Sequence, residues 1–156
     1  MIAKAGDIYC VYNKLLKKYT ACQVTKIDES GEKPQAIIIS LDWASDKLPN
    51  EDELSLMKPL YIDYMYWDGT FNLKKVDVNV PSNYVYVGNL APLNNEDTGT
   101  YGGWSIDVEV YNQFKWEKIP KDQRDAFKAA DASSEHVEFE GNRRRLSTHS
   151  ENDKWH

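Results

Sequence analysis

The run Ala36-Ile37-Ile38-Ile39-Ser40-Leu41, bounded by turn-forming residues, most restricts what this chain can fold into. Six residues are too few for an ordinary core helix, and three successive β-branched side chains favour an extended backbone, so the run reads as a central strand. Two further strand-like runs precede it. Ile8-Tyr9-Cys10-Val11-Tyr12 is entered through the turn pair Gly6-Asp7, and Tyr19 to Ile27 is rich in β-branched and aromatic residues. Asn13 to Lys18 forms a basic connection between them, and Asp28 to Pro34 a polar turn. Three successive strands with short connections predict an antiparallel meander. The expected fold is mainly β (α+β): a small antiparallel sheet or SH3-like partly open barrel, with one or two short helices and a C-terminal extension.

The rest of the chain is less uniform. Pro49 followed by Asn50 to Leu54 suggests a short helical turn or acidic loop, with proline at the first helical position and carboxylates in the first turn. Leu60 to Trp67, closed by Asp68-Gly69, reads as a strand with Leu60, Ile62, Tyr64 and Tyr66 on one face and Tyr61, Asp63, Met65 and Trp67 on the other. Phe71 to Val80 alternates, with Val76, Val78 and Val80 opposite Lys75, Asp77 and Asn79, and Tyr84 to Gly88 is another strand. Asn94 to Gly103 is a loop. Trp104 to Ile119 fits either period, and the β-branched alternation of Ile106, Val108 and Val110 favours a strand for its first part. Pro120 opens a helix ending near Ser133. The expected division is a β-rich binding domain over 1–119 and, over 120–156, a helical segment with a polar extension that can pack on the same domain.

Charge is spread unevenly along the chain. Residues 42–117 hold thirteen Asp and Glu against five Lys and Arg, which accounts for the net charge of −6 because the flanking segments nearly balance. Such a field repels phosphate backbones and attracts basic partners. Ten Tyr, five Trp and four Phe argue against a disordered chain. No stretch is long and apolar enough for a membrane helix, and the N-terminal residues lack the apolar core of a secretory signal. Cys10 and Cys22 sit in apolar runs and read as buried reduced thiols, although a hairpin of their two strands could bring them close. A cytoplasmic protein is expected.

Catalytic patterns are weak. His136, His149 and His156 all lie in the polar C-terminal stretch, where sequence neighbours do not make a dyad. No Cys-x-x-Cys, His-x-x-x-His or calcium-loop pattern occurs, and Thr98 to Gly103 lacks the lysine ending of a phosphate loop, so neither metal nor cofactor is expected. Asp107 and Glu109, on one strand face, would be the remaining acid–base pair. Nucleic-acid binding is disfavoured because the exposed-type aromatics alternate with Asp, while Lys14, Lys17, Lys18 and the Arg143–Arg145 run lie far apart.

A partner-binding surface remains. Tyr and Trp give large contact area at small entropy cost, and flanking carboxylates speed encounter with a basic partner. Glu51, Asp52 and Glu53, the face Tyr61, Asp63, Trp67 with Asp68, and Glu96 and Asp97 as rim are the candidate binding residues. Half of the aromatics in the Leu60 to Trp67 run would serve the core.

Gly6-Asp7-Ile8-Tyr9-Cys10-Val11 followed by Tyr19-Thr20-Ala21-Cys22-Gln23-Val24 resembles the start of the immunity protein 26 family, over about the first sixth of the chain. Those proteins open with a Gly-Asp-aliphatic-aromatic strand and then a second strand entered by an aromatic residue. The resemblance implies a protein of bacterial competition that binds and blocks a cognate toxin domain. An acidic surface would suit a basic nuclease as that toxin. A small β-barrel adaptor or nucleic-acid binder is the alternative.

Overall fold

The computed structural model describes residues 1–64, 69–131, 136–139 and 142–145, with side chains described as far as Lys128. The chain falls into two compact units, Met1–Ile62 with Thr70–Val110, and Asp63–Gly69 with Tyr111–His156.

The first unit is built on a meander of β1 (Asp7–Asn13), β2 (Lys18–Asp28) and β3 (Gln35–Ser45), flanked by β6 (Leu73–Asp77) and β7 (Val85–Asn89) in the antiparallel order β6-β3-β2-β1-β7. The isoleucine run is the middle of β3, and its three isoleucines are at most 1% exposed. Consecutive buried residues on a strand require cover on both faces. Ile8, Cys10, Ala21, Ile39 and Leu41 face one core, closed by Met57 and the partly buried Trp43 and Leu54. On the other face Tyr9 meets the rings of Tyr86 and Trp104 edge-on at 5.8 and 5.9 Å.

Two register shifts in the β2–β3 ladder sharpen the local twist. The sheet also curls, because chain ahead of β1 bonds to chain beyond β6. Ala3 N–H donates to the Val78 carbonyl at 2.8 Å and Val80 N–H to the Met1 carbonyl at 2.9 Å. The outer edge of β3 is divided between two partners. Its first half pairs with β6, and further along Asp42 N–H donates to Lys58 and Leu60 N–H to Ser40. The short α1 (Glu51–Ser55) and the two-residue pair β4 (Tyr61–Ile62) and β5 (Thr70–Phe71) complete this unit with the first turn of α2 (Asp107–Glu117).

The hairpin of β1 and β2 does form, but it does not bring the thiols together. Cys10 pairs with Ala21 and Cys22 with Tyr9, so the two sulfurs point to opposite faces. Both are buried and unbridged. Burial raises the Cys10 thiol to about 12 and pushes Cys22 higher still.

The turn into β1 carries a fully partnered buried polar group. Gly6 has φ of +91°, and a Cβ there would sit 2.5 Å from the Leu90 carbonyl oxygen, so the position tolerates no other residue without rearrangement. Asp7, buried beside it, accepts from Lys4 N–H, the Tyr9 hydroxyl and the Asn89 amide, each at 3.0 Å. Gln23, fully buried, donates to the carbonyls of Gly6, Leu90 and Ala91 and accepts from Leu93 N–H at 2.9 Å, tying the chain after β7 onto β2.

Four expectations need correction. Asp107 to Glu117 is a helix, not a strand. The alternation of Ile106, Val108 and Val110 does not match burial, since Val108 is exposed, whereas Ile106, Val110, Gln113 and Trp116 are buried three or four residues apart. Lys75, assigned to an outward face, is buried. The segment Thr100 to Gly102 lies along β6, with Lys75 N–H donating to the Thr100 carbonyl and Gly102 N–H to the Lys75 carbonyl. Pro49 precedes the cap residue Asn50 instead of taking the first helical position. In the segment read as one long strand, only Tyr61–Ile62 is extended within the first unit, although Leu60, Ile62 and Tyr64 are buried as their shared face required.

In the second unit, Gln113 of α2 grips the backbone of the Asp63 segment. Its Oε1 accepts from the N–H groups of Asp63 and Tyr64 at 2.8 and 3.1 Å, and its Nε2 donates to Asp63 Oδ1 at 2.7 Å. The helix α3 (Lys121–Asp131) starts where the Pro120 carbonyl accepts from Gln123 and Arg124. Phe127 of α3 packs against Trp116 of α2, with ring centroids 6.0 Å apart. β8 (His136–Phe139) and β9 (Asn142–Arg145) form an antiparallel pair that includes the arginine run.

Candidate functional site

The acidic turn over residues 51–53 owes its shape to four neighbours. Asn50 Oδ1 accepts from Glu53 N–H at 2.8 Å, while Glu53 Oε1 accepts from Asn50 N–H at 3.4 Å, a reciprocal cap on one helical turn. Trp43 Nε1–H donates to Glu53 Oε2 at 3.0 Å, which ties the turn to the end of β3. Leu54 sits close over Gly88 of β7, where an added Cβ would lie 3.1 Å from Leu54 Cδ1. Glu53 is therefore a structural carboxylate. Glu51 and Asp52, two and one positions earlier, are exposed at the N-terminal end of the turn, where the backbone dipoles favour negative charge.

The other candidates are dispersed. Tyr61 is 51% exposed, and its ring edge packs against Phe71 at 5.6 Å. Glu96 is exposed in its loop, with N–H bonded to Asn94 Oδ1. Asp97 accepts from Thr98 N–H and lies 3.3 Å from the Lys75 ammonium, which also meets Asp28 at 2.7 Å. Hydrogen bonds from Lys75 and Ser30 hold the Asp28 carboxyl far below its ordinary range. The Asp97 carboxyl is lowered by Thr98 N–H and then by Lys75. Lys75 pairs with Ile37 of β3, and Trp43 anchors Glu53 six residues further on, so Asp97 and Glu53 are tied to β3 positions roughly 20 Å apart along the strand. Asp63 belongs to the second unit and is engaged by Gln113. Trp67 and Asp68 lie outside the described residues.

Asp107 and Glu109, the possible acid–base pair, sit two apart in the first turn of a helix and so point away from one another. Among the described residues no cluster of His, Cys, Asp and Glu is placed to hold a metal ion, and no helix is long and apolar enough to cross a membrane.

One concave feature escaped the sequence reading. A cleft of about 400 Å³ opens in the first unit between the end of β1, the chain ahead of β7 and the entry to α2. Tyr84, Trp104 and Ile106 form its buried floor, and Tyr12, Lys14 and Asn83 stand on its rim. Its residues come from three separated segments, none with a motif. Only the aromatic density near Tyr84 and Trp104 could have signalled it.

Comparison with known proteins gives no match: neither a family model, nor a curated protein, nor a solved structure aligns with the chain.

Proposed function

We propose that this chain is an immunity-type binding protein that holds a basic toxin domain and blocks its active site or substrate groove. The observation that carries this reading is the pair Glu51 and Asp52, exposed on a turn already fixed by Asn50, Trp43 and Leu54. A preorganised charged turn loses little freedom on binding, and two outward carboxylates both steer and select a cationic partner. Tyr61 supplies exposed aromatic area, and the net charge of −6 adds long-range attraction. The N-terminal resemblance to immunity protein 26 chains supports the same reading. Its function is binding, not turnover, in the cytoplasm where such a toxin would act.

Co-expression with any toxin-domain protein encoded beside it is the direct test. The two should co-purify, and the Glu51→Lys, Asp52→Lys double variant should bind at least tenfold more weakly while remaining folded. If no neighbouring gene product co-purifies with the wild-type chain, the proposal fails.

A further inference from the structure

The floor and rim of the cleft in the first unit have opposite chemical characters. On the floor, the Tyr84 hydroxyl donates to the Trp104 carbonyl, and Trp104 Nε1–H donates to the Asp77 carbonyl at 2.8 Å. Both polar handles are thus satisfied within the protein, and the two rings meet edge-on at 5.2 Å. Burial also pushes the Tyr84 phenol upward, so it stays a neutral donor to that carbonyl. What the floor leaves open to a ligand is a small, mainly apolar surface at the edges of these two rings, with Ile106 beside it.

Donors dominate the rim. The Tyr12 hydroxyl, the Lys14 ammonium and the Asn83 amide have no hydrogen-bond or ion-pair partner among the described residues, and all three side chains are exposed. The principal acceptor nearby is the Asp107 carboxylate, which already takes the Ser105 hydroxyl at 3.3 Å. A ligand matching this arrangement carries acceptor oxygens at one end and a flat apolar body at the other. The volume lies at the small end of the range that holds small molecules, roughly 300–1,000 Å³.

We propose that this cleft binds a small aromatic carboxylate, its ring against Trp104 and Tyr84 and its carboxylate at the Lys14, Tyr12 and Asn83 rim. The chain's net negative charge opposes an anion at long range, so recognition rests on these short-range donors and on ring burial. The site uses none of the residues assigned to the toxin-binding turn and stands or falls separately from that reading.

Phenylacetate, phenylacetamide and phenethylamine share a ring and differ in charge. Titrated into the full chain under amide-resolved NMR at millimolar concentration, phenylacetate should give saturable shifts at residues 12, 14, 83 and 104–107. Phenylacetamide should bind about tenfold more weakly, the difference expected when a charge-assisted hydrogen bond becomes a neutral one. Lys14→Glu, a change at an exposed turn position, should weaken phenylacetate by at least that factor while leaving the melting temperature unchanged. Asn83→Leu should weaken it less. Tighter binding of phenethylamine than of phenylacetate would overturn the proposal by making Asp107 the recognition group. So would shifts confined to other surfaces, or no saturable shift with any of the three compounds.

Discussion

The corner around Gly6, Asp7 and Gln23 and the turn around Glu51 and Asp52 are built from the same kinds of groups and put them to opposite uses. At the corner a carboxylate and a primary amide are buried, and each is surrounded by donors and acceptors from chain segments far apart in sequence. At the turn only Glu53 is treated this way, through Asn50 and Trp43, and its two predecessors are left to solvent. A buried polar group with every partner in place specifies a fold, and its loss is expensive because those partners are stranded. An exposed charge on a rigid turn contributes little to folding and is available to a second molecule. The difference teaches where to look for function in a chain whose acids are numerous: among carboxylates the fold does not use.

Substitutions at the corner should break the fold. Gly6→Ala forces a side chain into a left-handed backbone and against the Leu90 carbonyl, and roughly 2–5 kcal/mol of stability should be lost from the sum of those two penalties. Gln23→Ala removes a buried side chain that serves three carbonyls and one N–H, for a loss of about 3 kcal/mol. Urea unfolding should show both as a lower midpoint with an unchanged slope. A loss below about 1 kcal/mol for both would mean that the corner is not what fixes the strand ends.

The turn should respond in the reverse sense. Glu51→Lys with Asp52→Lys should cost no more than about 1 kcal/mol, because these exposed side chains contribute only their charge at the N-terminal end of a single helical turn. Glu53→Ala is the informative contrast on the same turn, because it removes the acceptor of both Asn50 N–H and the Trp43 indole and should cost about 1–2 kcal/mol. If all three acids behaved alike in unfolding experiments, the separation of structural from available carboxylates would collapse.

How legible each region was follows from how local its causes are. The meander of β1, β2 and β3 could be read directly, because Ile37 to Ile39 and the Gly6-Asp7 turn express short-range preferences that the tertiary structure keeps. The short helical turn at α1 was visible in Pro49 and the acids that follow, although the cap itself falls on Asn50. What could not be read depends on contacts from afar. Lys75 is buried because the segment near Thr100 covers β6, and a strand period of two carries no information about a loop laid on top. Val108 and Val110 look like a strand locally, but the burial of Ile106, Val110 and Trp116 sets the helix. Proximity in sequence groups the candidate acids, whereas the fold draws Asp97 to Lys75 and Asp63 to Gln113, each a partner from another segment. The cleft was invisible for the same reason.

Lys75 with Asp28 gives a pH test of the comparison. The Asp28 carboxyl is lowered in the folded chain by hydrogen bonds from Lys75 and Ser30, so the folded state binds its proton less readily than the unfolded state. Its stabilisation is complete above the ordinary aspartate range near 3.9 and is lost as pH falls from there toward the lowered folded value. The Lys75 ammonium is raised chiefly by Asp28, so the same pair also weakens in strong alkali, above the ordinary lysine range near 10.4. Melting temperature should therefore fall steeply below about pH 4 in the wild type and less steeply in Asp28→Asn. The same slope in both chains would show that this pair does not govern acid unfolding.

The smallest effect concerns the connection between β1 and β2. Asn13 Oδ1 accepts from Leu15 and Leu16 N–H, and Lys17 closes the turn with φ of 59°, a left-handed conformation that disfavours a side chain. Replacing it by glycine removes a penalty of roughly 1–2 kcal/mol but adds entropy to the unfolded chain, so Lys17→Gly should stabilise by about 0.5–1 kcal/mol in urea. The substitution also removes a cation three residues from Lys14 without touching the cleft lining. If recognition there rests on short-range donors, Lys17→Gly should leave phenylacetate affinity unchanged while Lys14→Glu abolishes most of it. Equal losses from both would mean that the cleft responds to the general charge of the turn, and the contrast between positioned and merely present charge would fail at the one place where it predicts a ligand.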